Sequence, residues 1–302
     1  MKTISKLTGL LVTVLVTTLV LWACKKQDDA SGTADREEFA SVSSESDAAA
    51  EVVFDDVFNN VMGVSSEVAI GGTGVFGRVD VSSSSNGNRI DGVDSITCYV
   101  VTTKQLSTST RFPLQITIDF GSGCIGKDGR TRKGRIIVLY TGHLGTSGNS
   151  ATASFDGFYL DNIKVEGTYK LTNTGTTGQK SYTIQIINAK LSNSNGDYIQ
   201  WSSEKTITQI EGGATPLLAL DDVYNITGGA SGAVSAGNKY FQWSTVITAA
   251  LRKKFGCRWI TLGTLSLKKG NDAVAVLDYG PGTCDNKASF TVNGVSHEIT
   301  LH

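Results

Sequence analysis

Long segments of alternating apolar and polar residues are the feature that most constrains the fold of this 302-residue chain. They follow one another from Arg135 onward and are separated by Gly-Thr, Asn-Gly and Ser-Asn-Gly turns. A period of two is typical of strands that bury one face, and short turns favour antiparallel neighbours. The sequence therefore predicts an all-β fold, mainly an antiparallel meander or sandwich. The predicted strands of this run are 135–141, 150–160, 164–173, 182–191 and 198–209.

One short N-terminal helix is predicted before the strands, from Ser44 to about Met62. Ser44 and Asp47 are placed as a capping pair at its start. We expect its apolar face to pack on the sheet, because four apolar residues recur at helical spacing. These residues are Phe54, Val57, Phe58 and Val61.

The chain divides into two predicted halves. The stretch Gly-Gly-Ala-Thr-Pro at 212–216 is typical of a hinge. Strands resume from Tyr224, and the last strand is expected at 295–301. We therefore predict a first half at 47–211, made of the helix and β-structure, and a β-rich second half at 217–302.

Four of the five cysteines belong to two similar segments. Cys98 is followed 21 residues later by Asp-Phe-Gly-Ser-Gly-Cys, which ends at Cys124. Cys257 is followed 21 residues later by Asp-Tyr-Gly-Pro-Gly-Thr-Cys, which ends at Cys284. Each segment contains two predicted strands around a polar turn, so folding it brings its two cysteines together. We therefore predict two repeated hairpins closed by the disulfides Cys98–Cys124 and Cys257–Cys284.

The N-terminus has the layout of a bacterial lipoprotein signal. A basic start precedes an apolar run at 10–22, which is shorter than the roughly 20 residues of a membrane span. The run closes with Leu-Trp-Ala-Cys at 21–24. We predict a signal peptide at 1–23, lipidation of Cys24 by diacylglycerol and a palmitate-type acyl chain, and a disordered tether at 24–46. The alternative is an ordinary secretory signal with a cysteine nearby.

Two stretches resemble known lipoproteins. The sequence Cys-Lys-Lys-Gln-Asp-Asp at 24–29 resembles the export signal of surface lipoproteins in Bacteroidetes-type bacteria. The pattern Asp-Phe-Gly at 119–121, Asp-Gly-Arg at 128–130 and Asp-Tyr-Gly at 278–280 is similar to uncharacterised lipoproteins of the same bacteria. This resemblance implies an outer-membrane location, facing the periplasm or the cell surface, and implies no catalytic residues.

Composition argues against several classes of partner. With 27 Lys and Arg against 28 Asp and Glu, the chain has no overall attraction to nucleic acid. The three histidines, His143, His297 and His302, share no metal-ligand spacing. The stretch 121–128 resembles a phosphate-binding loop, but it lacks the Ser or Thr that would follow Lys127 and it precedes a strand. We expect no metal and no cofactor.

A basic cluster follows the first hairpin. Its members are Lys127, Arg130, Arg132, Lys133 and Arg135. One interpretation is a surface for an anionic partner such as lipopolysaccharide. The other is a solvated loop whose charges are balanced by nearby acids.

Asp119 and Asp278 occupy equivalent positions in the two hairpins. If the hairpins faced each other, the two carboxylates would form a pair suited to glycoside hydrolysis. The alternative is that each carboxylate caps the amides of the glycine turn that follows it.

Five aromatic residues on predicted strands are candidates for stacking on sugars, the alternative being burial in the core. They are Trp201, Trp243 and Trp259 with Tyr198 and Tyr240. Taken together, the sequence predicts a non-enzymatic, lipid-anchored envelope or surface protein with a structural or ligand-binding role. The membrane would be its partner through Cys24, with a glycan or envelope component as a further one. The alternative function is glycan binding or glycan hydrolysis at the surface.

Overall fold

The computed structural model describes residues 4–76, 98–126, 128–215, 221–254 and 256–301, with side chains described from residue 32. The chain begins with one helix, α1, at Ile4–Gly63, and a short helical turn follows at Gly74–Phe76. Within these described residues, fourteen strands then form one sheet. They are β1 (Val100–Gln105), β2 (Leu114–Asp119), β3 (Cys124–Ile125), β4 (Thr131–Tyr140), β5 (Ser150–Leu160), β6 (Ile163–Asn173), β7 (Ser181–Ser192), β8 (Tyr198–Glu211), β9 (Val223–Ala236), β10 (Lys239–Lys254), β11 (Ile260–Lys269), β12 (Asp272–Pro281), β13 (Lys287–Val292) and β14 (Val295–Thr300).

The sheet is an antiparallel meander, as predicted. Consecutive strands are neighbours from β4 to β14, while β2 pairs with β4 and the two-residue β3 lies beside β4. The bounds of β5 match the predicted strand at 150–160. Alternation therefore located the strands from β4 to β8 well, because each of them buries one face more than the other.

The helix α1 lies inside the curve of the sheet. Asn60, Val61 and Met62 are each 0 % exposed, although successive helical residues point about 100° apart. Packing therefore surrounds the helix at this level. Contacts between α1 and strands β5 and β8 to β14 show that the sheet folds around it. The core is the layer of apolar side chains between the helix and the inner face of the sheet.

The helix starts earlier than the predicted Ser44. Residues 32–43 are already helical, and Phe39 and Ala40 are buried. The Phe39 ring packs edge-on against Phe241 at 5.7 Å between centroids, and the Lys269 ammonium lies 5.1 Å above it. The segment predicted to be a disordered tether at 24–46 is therefore helical and packed over residues 32–46. The polar composition of this segment predicts disorder and does not indicate that its single aromatic residue, Phe39, packs in the core.

The predicted hinge falls within one continuous sheet. Strands β8 and β9, on either side of it, pair from Tyr198 with Ser235 to Glu211 with Val223. Residues 216–220 and most of the Gly/Ser-rich stretch 71–92 lie outside the described residues. The two halves consequently share one sheet and one core.

Both predicted disulfides are present. Cys98 and Cys124 join across 5.2 Å between Cα atoms, and Cys257 and Cys284 join across 5.8 Å. The first closes the hairpin of β1 and β2, and the second closes the hairpin of β11 and β12. The matched spacing thus identified the pairing, because a hairpin brings the residues at its two open ends together.

Candidate functional site

Four acidic residues of α1 make the most unusual feature of the interior, and we call them the acidic stripe. They are Asp47, Glu51, Asp55 and Asp56. The first three recur every four residues, so they share one face of the helix. That face turns toward the inner side of the sheet, where each carboxylate meets a donor from a strand. Buried charges are costly unless they are paired, so these contacts fix the position of the helix.

Asp47 accepts hydrogen bonds from two indoles. The Nε1 atoms of Trp201 on β8 and Trp243 on β10 lie 2.8 and 3.1 Å from the same carboxylate oxygen. Burial raises the pKa of Asp47, and the two indoles and nearby Lys205 only partly oppose it. Between the two tryptophans lies Gly232 of β9, which pairs with both.

The position of Gly232 requires a glycine. A Cβ atom there would come within 2.4 Å of the Trp243 ring. The two indoles therefore lie over a strand that has no side chain at this point, and both reach Asp47 as a result.

Two lysines neutralise the next two carboxylates. Lys205 of β8 pairs with Glu51, and its ammonium also lies 5.1 Å from the centre of the Trp201 ring. Lys253 of β10 donates to Asp55 at 2.5 Å and to the carbonyl of Arg258 at 2.9 Å. Burial raises the pKa of Asp55, and Lys253 opposes that rise. Burial alternates along both strands, and the two lysines occupy inward positions, where apolar residues are usual.

Arg132 of β4 completes the set. Its side chain is 0 % exposed and binds Asp56 of the helix and Asp128 of the preceding loop. Burial alone would lower the pKa of Arg132, but the two carboxylates outweigh it and hold the pKa above its usual value. Asp56 also accepts a hydrogen bond from the Asn60 side chain at 3.0 Å. This buried network ties the C-terminal half of the helix to the start of the meander.

A small cavity adjoins the acidic stripe. Its volume is about 40 Å³, and Glu51, Lys205, Lys253 and Tyr169 are among the residues that line it. Organic ligands occupy sites of roughly 300–1,000 Å³, so this space is on the scale of a few water molecules. The Tyr169 hydroxyl is buried and has no hydrogen-bond partner among the described residues.

The basic cluster is not a free surface. Arg130 and Arg132 are 7 % and 0 % exposed, so the expectation that they bind a ligand is wrong. Arg130 donates to Asp161 at 2.8 Å, and Arg135 bonds both Asp119 and Asp156. Lys127 lies outside the described residues. The prediction that nearby acids balance these charges is confirmed for Arg130, Arg132 and Arg135, but the first two are buried and not solvated.

The tryptophans do not form a sugar-stacking platform. Trp201 and Trp243 are 2 % and 4 % exposed because both belong to the core around Asp47. Trp259 is partly buried against that core, and the Arg258 guanidinium covers its ring at 5.6 Å. Burial in the core, the alternative given above, is therefore correct for the first two. Tyr198 and Tyr240 are different, since they alternate with inward residues and lie on the outer face.

The two equivalent aspartates are turn caps. Asp119 accepts a hydrogen bond from the amide of Gly121 at 2.8 Å, and Asp278 accepts one from Gly280 at the same distance. Their strand neighbours are buried, so both carboxylates lie on the outer face, on strands near opposite ends of the sheet order. The hypothesis that these two residues form a catalytic pair is therefore wrong. Arg135 also binds Asp119 and, with the turn amide, lowers its pKa.

The patterns in the sequence do not predict the acidic stripe. Polar residues on an amphipathic helix normally face solvent, so the sequence predicts only a capping role for Asp47 and no role for the other three. One signal was available: alternation along β8 places Lys205 on the same face as Trp201 and Ile207. An inward lysine needs a buried acid as its partner.

Within the described part of the chain, no group of three or more His, Cys, Asp or Glu side chains is arranged to hold a metal ion. The helical segment whose side chains are described is not long and apolar enough to cross a membrane. The apolar run at 10–22 and the side chain of Cys24 lie outside that segment.

Comparison with protein-family models, with curated proteins and with solved structures gives no match to this chain.

Proposed function

We propose that this protein is a lipid-anchored component of a bacterial cell envelope, held in the outer membrane through Cys24, with a structural or ligand-binding role. It would face the periplasm or the cell surface. The observation that carries the proposal is Leu-Trp-Ala-Cys at 21–24, directly after a short apolar run. Two or more acyl chains on Cys24 would give stable anchoring, since each buried methylene contributes about 0.8 kcal/mol.

The use of the other cysteines supports export. Two disulfides take four of the five cysteines, and Cys24 is the one left over. Disulfides of this kind are typical of proteins that leave the reducing cytosol. A cysteine without a disulfide partner, placed at the end of a signal-like run, is the residue that lipidation requires.

The contacts that the buried charged side chains already make support a non-catalytic role. A catalytic carboxylate must reach its substrate, but Asp47 and Asp56 are buried, Glu51 and Asp55 are mostly buried, and each of the four has a protein donor. The adjoining cavity of about 40 Å³ would not admit a substrate of ordinary size. Asp119 and Asp278 serve as turn caps.

Helix α1 would also connect the lipid anchor mechanically to the folded sheet. Cleavage before Cys24 would leave α1 running from the lipidated residue into the interior of the sheet. A load on the anchor would then reach the centre of the fold through the ion pairs of the acidic stripe. This arrangement suits a protein that must remain folded while tethered.

Metabolic labelling tests the proposal. The full chain is expressed in a Gram-negative bacterium supplied with an alkyne-bearing fatty acid, and the membrane fraction is examined for labelled protein. We expect label in the natural chain and in the control Ser31→Ala, and none in Cys24→Ser. Unlabelled natural protein, or label that persists in Cys24→Ser, would refute the lipid anchor.

A further inference from the structure

The outer face of the sheet carries a groove that runs along β9, and we call it the β9 groove. Its floor is formed by the outward residues Gly229, Ser231, Ala233 and Ser235. Strands β8 and β10 lie on either side and carry longer outward side chains opposite Gly229, Ala233 and Ser235, whereas serines of both strands stand opposite Ser231. Ala233 is only 5 % exposed although it faces outward, because Gln200 and Gln242 stand directly opposite it on the two neighbouring strands.

The groove has the size of a binding site. A cavity of about 750 Å³ covers the part of the floor at Ser231 and Ala233. A second cavity of about 490 Å³ continues it toward Gly229 and shares Ser231 with the first. From Gly229 to Ser235 the floor extends roughly 20 Å at the usual rise of a strand. These dimensions suit an extended chain more than a compact ligand.

The walls carry mainly uncharged hydrogen-bonding groups and one exposed aromatic ring, with a single described charged residue in each cavity, Lys190 in the larger and Glu204 in the smaller. The amides of Gln200 and Gln242 line the larger cavity, as do hydroxyls on all three strands. Tyr198 and Tyr240 pair with Ser235 from either side, at the end of the groove. Tyr240 is 53 % exposed, and its hydroxyl accepts a hydrogen bond from Gln242 at 2.9 Å. The tyrosine is thereby held beside the amide wall with much of its surface open to solvent.

This chemistry distinguishes between classes of ligand. An extended peptide gains affinity by pairing its backbone with a free strand edge, but β9 is already paired with β8 and β10 along the groove. A nucleic acid requires several cations, and among the described residues Lys190 is the one cationic side chain that lines the larger cavity. Amides, hydroxyls and an exposed aromatic ring match the hydroxyls and apolar faces of sugars.

We propose that the β9 groove is a binding site for an extended, uncharged polysaccharide. Tyr240 stacks on a sugar ring at one end, and Gln200 and Gln242 bond the hydroxyls of the following units. The small floor residues allow the chain to lie close to the sheet. This inference rests on the proposed function for its binding role, and it names the class of ligand.

Retention on insoluble polysaccharides tests the site. The detergent-purified full chain is incubated with starch, cellulose and xylan granules, with pectin as an anionic probe and immobilised casein as a peptide probe. We expect retention on at least one neutral polysaccharide at physiological salt. Tyr240→Ala should weaken the affinity about tenfold, which corresponds to about 1.4 kcal/mol from one lost stacking contact. Ser231→Trp should abolish retention, because its indole would fill the groove.

The matched control is Ser154→Trp, which places the same ring on an exposed serine of β5, away from the groove. It should bind as the natural chain does, and circular dichroism should show all three variants folded. Tyr240→Ala keeps the test usable if Ser231→Trp does not fold, since Tyr240 is an exposed side chain. Retention on none of the neutral granules would overturn the site, as would equal retention by natural chain, Ser231→Trp and Tyr240→Ala. Retention on pectin alone, or on casein alone, would also overturn it. Fatty-acid labelling of Cys24 is independent of all these results, so the anchor and the site fail separately.

Discussion

Replacing Arg132 by methionine would remove the cation that the buried Asp56 shares with Asp128. Asp56 is 6 % exposed, so its carboxylate would remain buried without a charged partner. Breaking a buried ion pair in this way costs about 3–5 kcal/mol of the free energy of unfolding. Asp128 contributes less to this cost, because its side chain is 36 % exposed and keeps part of its hydration.

Arg135→Met is the matched control for this prediction. Arg135 lies on the same strand and also binds two carboxylates, Asp119 and Asp156, but its side chain is 50 % exposed. Surface ion pairs contribute little to stability, so this variant should unfold close to the natural chain. The two variants therefore separate the effect of burial from the loss of an arginine.

Urea denaturation with the disulfides intact, followed by tryptophan fluorescence, measures the difference. Trp201 and Trp243 report directly on the packing of α1, because both bond to Asp47. If Arg132→Met does not fold, the double variant Asp56→Asn with Arg132→Met should recover part of the loss, since no unpaired charge is then buried. Equal unfolding midpoints for Arg132→Met and Arg135→Met would refute the reasoning.

Three further predictions concern the interior. Gly232→Ala should lower the free energy of unfolding by about 1–3 kcal/mol, because the added methyl group would overpack against Trp243. The control Gly123→Ala should change the free energy of unfolding little in the same urea titration, because its Cβ would meet no atom within 4 Å. Tyr140→Phe should lower the free energy of unfolding by about 1–3 kcal/mol, because the Tyr140 hydroxyl donates to the Val61 carbonyl at 2.7 Å. Tyr169→Phe should be neutral or stabilising in thermal unfolding, because the Tyr169 hydroxyl is buried with no hydrogen-bond partner among the described residues. A larger loss of stability for Tyr169→Phe than for Tyr140→Phe would contradict this. Because burial raises the pKa of Asp47 above its usual 3.8, its ionised form destabilises the fold at neutral pH, so Asp47→Asn should be more stable than the natural chain at pH 7. That advantage should shrink as the pH falls through the raised pKa of Asp47, and an advantage that grows toward low pH in titrated unfolding curves would contradict it.

Local patterns in the sequence determined most of the fold. Alternation identified the strand at 150–160 to the residue, and the repeated spacing of Cys98 and Cys257 identified both disulfides. The capping role of Asp119 also followed from its place before a glycine turn. Each of these inferences concerns residues close together in the sequence, where a pattern corresponds to a single local geometry.

The interior was harder to predict, because it depends on contacts between distant residues. Asp47 and Trp201 are 154 residues apart, and so are Glu51 and Lys205. A polar helix face can be exposed to solvent or can bind a set of buried partners, and the helix sequence alone favours exposure. The tryptophans posed the same difficulty, since an indole on a strand can face either side until its register with Gly232 is known.

The proposed anchor is tested most directly by the mass of the N-terminal peptide. The full chain is isolated from bacterial membranes, digested, and the peptide that contains Cys24 is measured by mass spectrometry. Our account predicts a peptide that begins at Cys24 and carries a diacylglyceryl group on sulfur and an acyl group on the amine. A peptide that retains residues before Cys24, or that carries an unmodified thiol, would contradict it.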